Sequence, residues 1–355
     1  MLEDTREIPV FSVAEFEHSA SRNPNILAHH PCIVEGFIQR WPAYEKWQSL
    51  PYLEEKFGHL KVQAGAPHFV THKNAKICQV LTTYSKYLEY VQAPGKAESL
   101  FRDDWIQGSY DEFRSLDVPL YSGNAKFVTD SSDPIIDELR PLVPAPLECW
   151  NEHLPYFYQL HNHVWLLVSL PGALTPLHTD NNGVIAYLAQ LKGLKRVILY
   201  SPEDRAHYFN PEVGYMDPLA PNPAEFPTWK EARAWTVTLR AGELLIWGSG
   251  WAHHVLTMED TISTSLDFVN QTNIGQYAQS KGWMETLGRF AKHNVQLATS
   301  SLSSEIVHAA LAQDIEWRIG RDLMVGILEA ALEHGGGPAR SHIPPREMLE
   351  HLRTL

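Results

Sequence analysis

Between Val164 and Asn270 the chain breaks into short apolar runs separated by Gly and Pro turns. Residues 164–168, 195–200, 243–247 and 264–269 are the clearest of them. Runs of this length, bounded in this way, read as strands, and a series of them predicts a mainly β fold, a barrel or sandwich. A proline-rich stretch, 211–227, interrupts the series and reads as a surface loop. Residues 1–60 mix short strands and helices. Ser12 followed by Glu15 has the spacing of a capped helix start, 32–37 reads as a buried strand, and 51–58 as a short helix closed by Gly58. A helix is expected over 84–91 within an otherwise irregular region that runs to about 150. After Asn270 the pattern turns helical. Val307, Ala310, Leu311, Ile315, Ile319, Leu323, Ile327, Leu328 and Ala331 fall on one stripe, and Gly335-Gly336-Gly337 ends it.

This pattern divides the chain into one domain over 1–272 and a helical region over 273–355. Within the domain, a mixed part reaches to about 150 and a β core spans about 151–272. The apolar stripe of the tail must cover the β core or pair with a second copy, which makes a homodimer an expectation.

Bulk composition narrows the function. With 355 residues, 44% hydrophobic and 20% charged, a sizeable core is expected and wholesale disorder is not. The net charge of −13 argues against a nucleic-acid partner, which wants a basic face. Cys32, Cys78 and Cys149 are scattered and lack CxxC spacing, so reduced thiols in a cytoplasmic protein are expected, and no cysteine-rich zinc module. The charged N-terminus does not read as a signal peptide, and no apolar run approaches a membrane span.

The chemistry centres on His178-Thr179-Asp180. On a strand, residues i and i+2 share a face, so His178 and Asp180 can reach one metal ion while Thr179 points away. Alone, such a triplet is weak in a chain with 18 histidines. A third ligand is offered by Trp251-Ala252-His253-His254-Val255. Alternation puts Trp251, His253 and Val255 on one face and Ala252 and His254 on the other, without choosing between the two histidines. Two imidazoles and one carboxylate are the set that holds Fe(II) on one face and leaves the opposite face open. His161 and His163 repeat the i, i+2 spacing without a carboxylate and read as a polar strand edge. Lys195 shares a strand face with Val197 and Leu199. It is either a surface lysine with a buried stem or a buried cation needing an anionic partner. Thr175 is a hydroxyl near the triplet, or simply a turn residue before Pro176.

The segments 172–180, 190–202, 241–246 and 250–253 together resemble the JmjC (cupin-like) Fe(II)- and 2-oxoglutarate-dependent oxygenases. They are most similar to the small hydroxylase branch that includes the asparaginyl hydroxylase of hypoxia-inducible factor. Residues 31–37, Trp41-Pro42-Ala43, Trp47 and 52–58 are also typical of that branch, so the resemblance covers about 8–270. It implies a double-stranded β-helix, a cupin or jelly-roll core, with flanking helices. It further implies His178, Asp180 and His253 as Fe(II) ligands, His253 being framed by Trp251 and Val255 as in the family. Lys195, Thr175 and Tyr121 would hold 2-oxoglutarate. The implied reaction is hydroxylation of a C–H bond with O2, coupled to decarboxylation of 2-oxoglutarate to succinate and CO2. The substrate would be a protein, peptide, amino acid or small molecule. The chain departs from the pattern where Ala186 falls opposite the family's asparagine, for which Asn181 or Asn182 could substitute, where Gly248 replaces a proline, and at Asp267, where a neutral polar residue is commoner. Rival readings are an N-methyl-lysine demethylase using the same site, a zinc cupin hydrolase or isomerase, and a non-catalytic cupin scaffold.

Overall fold

The structure, a computed structural model, describes residues 5–23, 25–126, 134–149, 151, 164–180 and 183–278, with single positions 325, 350, 353 and 354. Two sheets face one another. One has five strands in the order β1 (Thr5–Glu7), β14 (Ala234–Arg240), β11 (Leu194–Tyr200), β16 (Ala252–Thr257) and β9 (Leu174–Thr179). The other has seven: β2 (Val10–Ser12), β3 (Cys32–Glu35), β15 (Glu243–Trp247), β10 (Ile185–Lys192), β17 (Thr261–Phe268), β8 (Val164–Ser169) and β7 (Ser122–Lys126). From β8 to β11 and again from β14 to β17, each strand crosses to the opposite sheet. That winding is the double-stranded β-helix. A three-stranded sheet, β4 (Lys61–Ala66), β5 (Cys78–Thr83) and β6 (Trp105–Gln107), and a hairpin, β12 (Phe209–Asn210) with β13 (Gly214–Tyr215), lie outside it.

The period of two along each strand sorts side chains between the interior and the outer faces. Val197 and Leu199 of β11, Val255 of β16, Leu188 of β10 and Leu245 of β15 meet between the sheets. Leu166, Val168, Tyr187, Ile246, Leu266 and Phe268 point the other way, from the seven-stranded sheet into a core shared with Phe16, Trp41, Trp47 and Tyr84. The N-terminal third therefore closes this outer face, as well as adding β1, β2, β3 and β7 to the two sheets. Its first helix, Val13–Arg22, starts where the spacing predicts. The Ser12 hydroxyl caps the Glu15 amide, and the Glu15 carboxylate accepts from the Ser12 amide at 2.8 Å. Glu138 accepts hydrogen bonds from Lys46, Trp47 and Tyr52, which ties the turn Pro134–Leu139 to the helices Pro42–Lys46 and Leu50–Phe57.

The stretch 211–227 is the mostly exposed loop its composition predicts, pinned to the fold by a few buried anchors. Val213, Met216 and Phe226 are buried, and with Tyr208 they cover Leu177, Ile198, Tyr200 and Ala252 on the outer face of the five-stranded sheet. Its turn-forming residues sit between those anchors. The hairpin also joins the chain after β4. The Lys73 amide donates to Val213 O at 2.9 Å, and the Tyr215 amide donates to Thr71 O at 3.0 Å. Gly214 lies at φ +100°, where a Cβ would run into the Thr71 carbonyl.

The expected C-terminal helical region begins with the short helix Ile274–Ala278. The rest of it, including the stripe over 307–331, lies outside the described residues. Among the described residues no helix is long and apolar enough to cross a membrane.

If 211–227 is a structural cover, Phe226→Ala costs about 3 to 5 kcal/mol, as for other buried aromatics truncated to alanine. Urea unfolding measures it. An unchanged midpoint would mean that these anchors carry none of the fold's stability.

Candidate metal and anion site

Strands β9 and β16 are antiparallel neighbours, and their register sets His178 directly across from His253. The two rings lie 4.1 Å apart between centroids. Asp180 follows the last residue of β9, and its Oδ1 is 3.9 Å from His178 Nε2 and 3.8 Å from His253 Nε2. One ligand atom from each of the three lies within 4.8 Å of the others. His254 is on the opposite face, buried, with its pKa pushed down to about 4, chiefly by burial. The geometry thus separates the two histidines that alternation leaves equivalent.

Orientation of the triad comes from backbone and from one indole. His178 Nδ1 is 2.9 Å from Pro176 O, and His253 Nδ1 is 3.4 Å from Trp251 O. With each Nδ1–H donating to its carbonyl, both Nε2 lone pairs are left facing Asp180. Trp247 Nε1 donates to Asp180 Oδ2 at 3.0 Å, which turns Oδ1 toward the imidazoles. Burial, then the neighbouring His253, holds the His178 pKa well below its ordinary value, so the ring is a neutral ligand.

Thr175 is three residues before His178, an odd separation that on a regular strand would put the two on opposite faces. The register corrects this. Val255 pairs with Thr175 and His253 with His178, two residues on β16 against three on β9. This β-bulge at Pro176 and Leu177 turns both Thr175 and His178 inward, while Leu177 packs outside. Pro176 has no amide to lose from the ladder.

Deeper between the sheets lies Lys195, fully buried. Its Nζ donates to Ser263 Oγ at 2.7 Å and to Tyr121 Oη at 3.0 Å. Tyr121 is itself buried, with the hydroxyls of Thr175 and Ser169 acting on its phenol. No carboxylate among the described residues pairs with Lys195, and burial pushes its pKa down to about 7. Lys195 pairs across β16 with Thr257, and Leu199 with His253. Cation and triad are thus rooted four residues apart along β11, roughly 13 Å at about 3.3 Å per residue. A lysine side chain and a small dicarboxylate in series fit that interval.

The structure brings all six sequence-derived residues into one chamber. His161 and His163, with Asn181 and Asn182, lie outside the described residues. On β17, Asp267 shares the inward face with Ser263 and pairs with Ala186 of β10, whose methyl separates it from Trp247 on the next strand. Burial, and then the charge of Asp180, raises the Asp267 pKa well above the ordinary range. Two residues escape sequence reasoning. Trp247 reads there only as strand core. His68, just after β4, packs against Tyr121 at 4.9 Å and beside Phe69, whose ring meets His178 edge-on at 4.6 Å. Nothing local distinguishes it among 18 histidines.

A sequence model of the cupin-like domain matches residues 20–273. Among curated proteins, the chain is 24% identical over 276 residues to the human bifunctional peptidase and (3S)-lysyl hydroxylase JMJD7, covering 68% of this chain and 77% of that one. It is 22% identical over 300 residues to the 2-oxoglutarate and iron-dependent oxygenase JMJD4 of Danio rerio, covering 76% and 65%. It is 24% identical over 264 residues to the lysine-specific demethylase JMJ21 of Arabidopsis thaliana, covering 70% of this chain and 24% of that much longer protein. A family match over most of the chain, on a double-stranded β-helix with two histidines and an aspartate at its mouth, establishes that this chain belongs to the cupin-like domain family.

Proposed function

We propose that the chain is an Fe(II)- and 2-oxoglutarate-dependent oxygenase that hydroxylates a C–H bond in a protein or peptide side chain. The observation that carries this is the pairing of two poles in one chamber. Three convergent ligand atoms lie at its mouth, and a buried lysine without a carboxylate partner among the described residues lies at its base. A zinc hydrolase of the same fold has no use for the second pole. The relative named for lysyl hydroxylation favours a protein side chain as substrate.

The residues fit both groups. His178, His253 and Asp180 are a nitrogen-and-oxygen set suited to Fe(II), with the faces away from the protein left open. Lys195 supplies the charge that a carboxylate needs in a dry interior, and Thr175 and Tyr121 add hydroxyl donors beside it. The chemistry supplied by a bound iron centre is oxidation of a C–H bond by O2, coupled to decarboxylation of 2-oxoglutarate to succinate and CO2. The chain's own part is positional. The Pro176 and Trp251 carbonyls and the Trp247 indole hold the three ligands in orientation. Lys195 anchors the co-substrate so that its other end reaches the triad. The apolar walls, Val197, Leu199, Leu188 and Val255, keep bulk water out.

Demethylation of N-methyl-lysine at the same site is the second reading, favoured by the relative named as a lysine demethylase. A product heavier by one oxygen supports hydroxylation, whereas loss of a methyl group with formaldehyde release supports demethylation. We also propose that residues 273–355 form a helical dimerisation element attached to the 1–272 domain, a reading supported by the apolar stripe over 307–331. A monomeric mass in solution defeats it.

His178→Ala and Asp180→Ala are expected to abolish succinate production, and wild-type rates from either would overturn the triad. Lys195→Ala raises the 2-oxoglutarate concentration needed for half-maximal rate, by roughly ten- to hundredfold for the loss of a charged hydrogen-bond donor.

Lys195 also makes stability depend on pH. Between about 7 and its ordinary value of 10.5, the unfolded chain binds a proton at this lysine that the folded chain does not, so wild-type stability rises with pH through that window. Lys195→Met removes the buried cation. The unliganded variant is therefore more stable than wild type, by most below about pH 7 and by progressively less toward pH 10.5. Denaturant midpoints across that range test this, and a difference independent of pH would mean that the lysine already has an anion beside it.

A further inference from the structure

We propose that His68 is a further binding residue for the dicarboxylate co-substrate, its imidazole N–H donating to a co-substrate oxygen between Lys195 and the triad. This rests on the oxygenase reading and extends it to a residue outside the double-stranded β-helix.

Both ring nitrogens of His68 are shut off from solvent and have no hydrogen-bond partner among the described residues. A buried imidazole with neither nitrogen satisfied is costly unless something completes it. Its surroundings indicate what does. Tyr121, which takes a hydrogen bond from Lys195, packs on the ring at 4.9 Å. Phe69 is at 4.8 Å and itself abuts the ligand His178. Burial, and then the charge of Lys195, keep the ring neutral, with one N–H to donate. His68 therefore faces the space between the cation and the triad.

The backbone holds it there. The His68 amide donates to Leu174 O at 3.0 Å, the residue before Thr175. Three residues earlier, Gly65 exchanges hydrogen bonds with Tyr121, N to O at 3.0 Å and O to N at 2.8 Å. Segment 65–68 is thus pinned at one end to Tyr121 and at the other beside Thr175, both expected co-substrate contacts. Gly65 permits the tight return, because a Cβ there would come within 2.7 Å of the Pro67 and His68 carbonyl oxygens. An acceptor arriving beside Lys195 meets an N–H that the folded chain leaves unused. A dicarboxylate provides such acceptors, whereas an apolar occupant would leave both nitrogens as they are.

The test is calorimetric titration of 2-oxoglutarate into the zinc-loaded protein, which binds without turning over. Wild type is compared with His68→Phe, His68→Gln and Lys195→Met. His68→Phe keeps a flat ring and removes the donor, so its Kd is expected to rise roughly ten- to hundredfold. His68→Gln restores an N–H and recovers part of the loss. In the unliganded state His68→Phe is at least as stable as wild type, since it removes an unsatisfied buried group. In the wild-type protein, the 15N resonances of the His68 ring shift on saturation with 2-oxoglutarate, a readout that holds even if a variant fails to fold. If wild type binds, Lys195→Met loses binding, and His68→Phe binds like wild type with unshifted ring resonances, the His68 assignment alone is overturned. If wild type itself does not bind 2-oxoglutarate, the oxygenase reading fails and takes this inference with it.

Discussion

The antiparallel register of β9 against β16 is the constraint from which the site follows. It sets His178 opposite His253, and the end of β9 then delivers Asp180 to both imidazoles. A slip of one residue would send His254 inward and His253 out. The bulge at Pro176 and Leu177 is part of the same constraint, since without it Thr175 could not share the chamber with His178. Everything else in the fold supports these two strands. The seven-stranded sheet closes the chamber from the other side, the N-terminal third covers the back of that sheet, and 211–227 covers the back of the five-stranded one.

The chamber concentrates groups that a core built only for stability would avoid. Among the described residues, Lys195 is buried without an anion, Asp267 is a carboxylate in a desolvated position beside another, and His68 has two idle nitrogens. Each lowers the stability of the unliganded fold. Their meeting in one place between the two sheets is the energetic mark of a site completed by something else.

Much of this was legible in the sequence, for identifiable reasons. Strand periodicity is local, so the β series, the sharing of a face by Lys195 and Val197, and the capping of the first helix by Ser12 and Glu15 all read directly. Whether Lys195 was buried or merely snorkelling could not be read, because the deciding neighbours, Ser263 and Tyr121, are 68 and 74 residues away. The prolines and turn residues of 211–227 report its exposed loop, whereas the buried status of Met216 and Phe226 depends on the sheet beneath. The bulge in β9 leaves only Pro176 as a trace. His68 leaves none, since its significance lies in what surrounds it and not in its own segment.

The carbonyls that orient the two triad imidazoles belong to the residues two positions earlier in the chain. The aim of each ring is thus written into the main chain and owes little to the identity of neighbouring side chains. A core of this kind can exchange nearly all its apolar residues, provided pleat and register survive, and still present the same two nitrogens to the same point. The metal pole is inherited with the backbone, and the opposite walls of the chamber are left free to diverge toward different substrates.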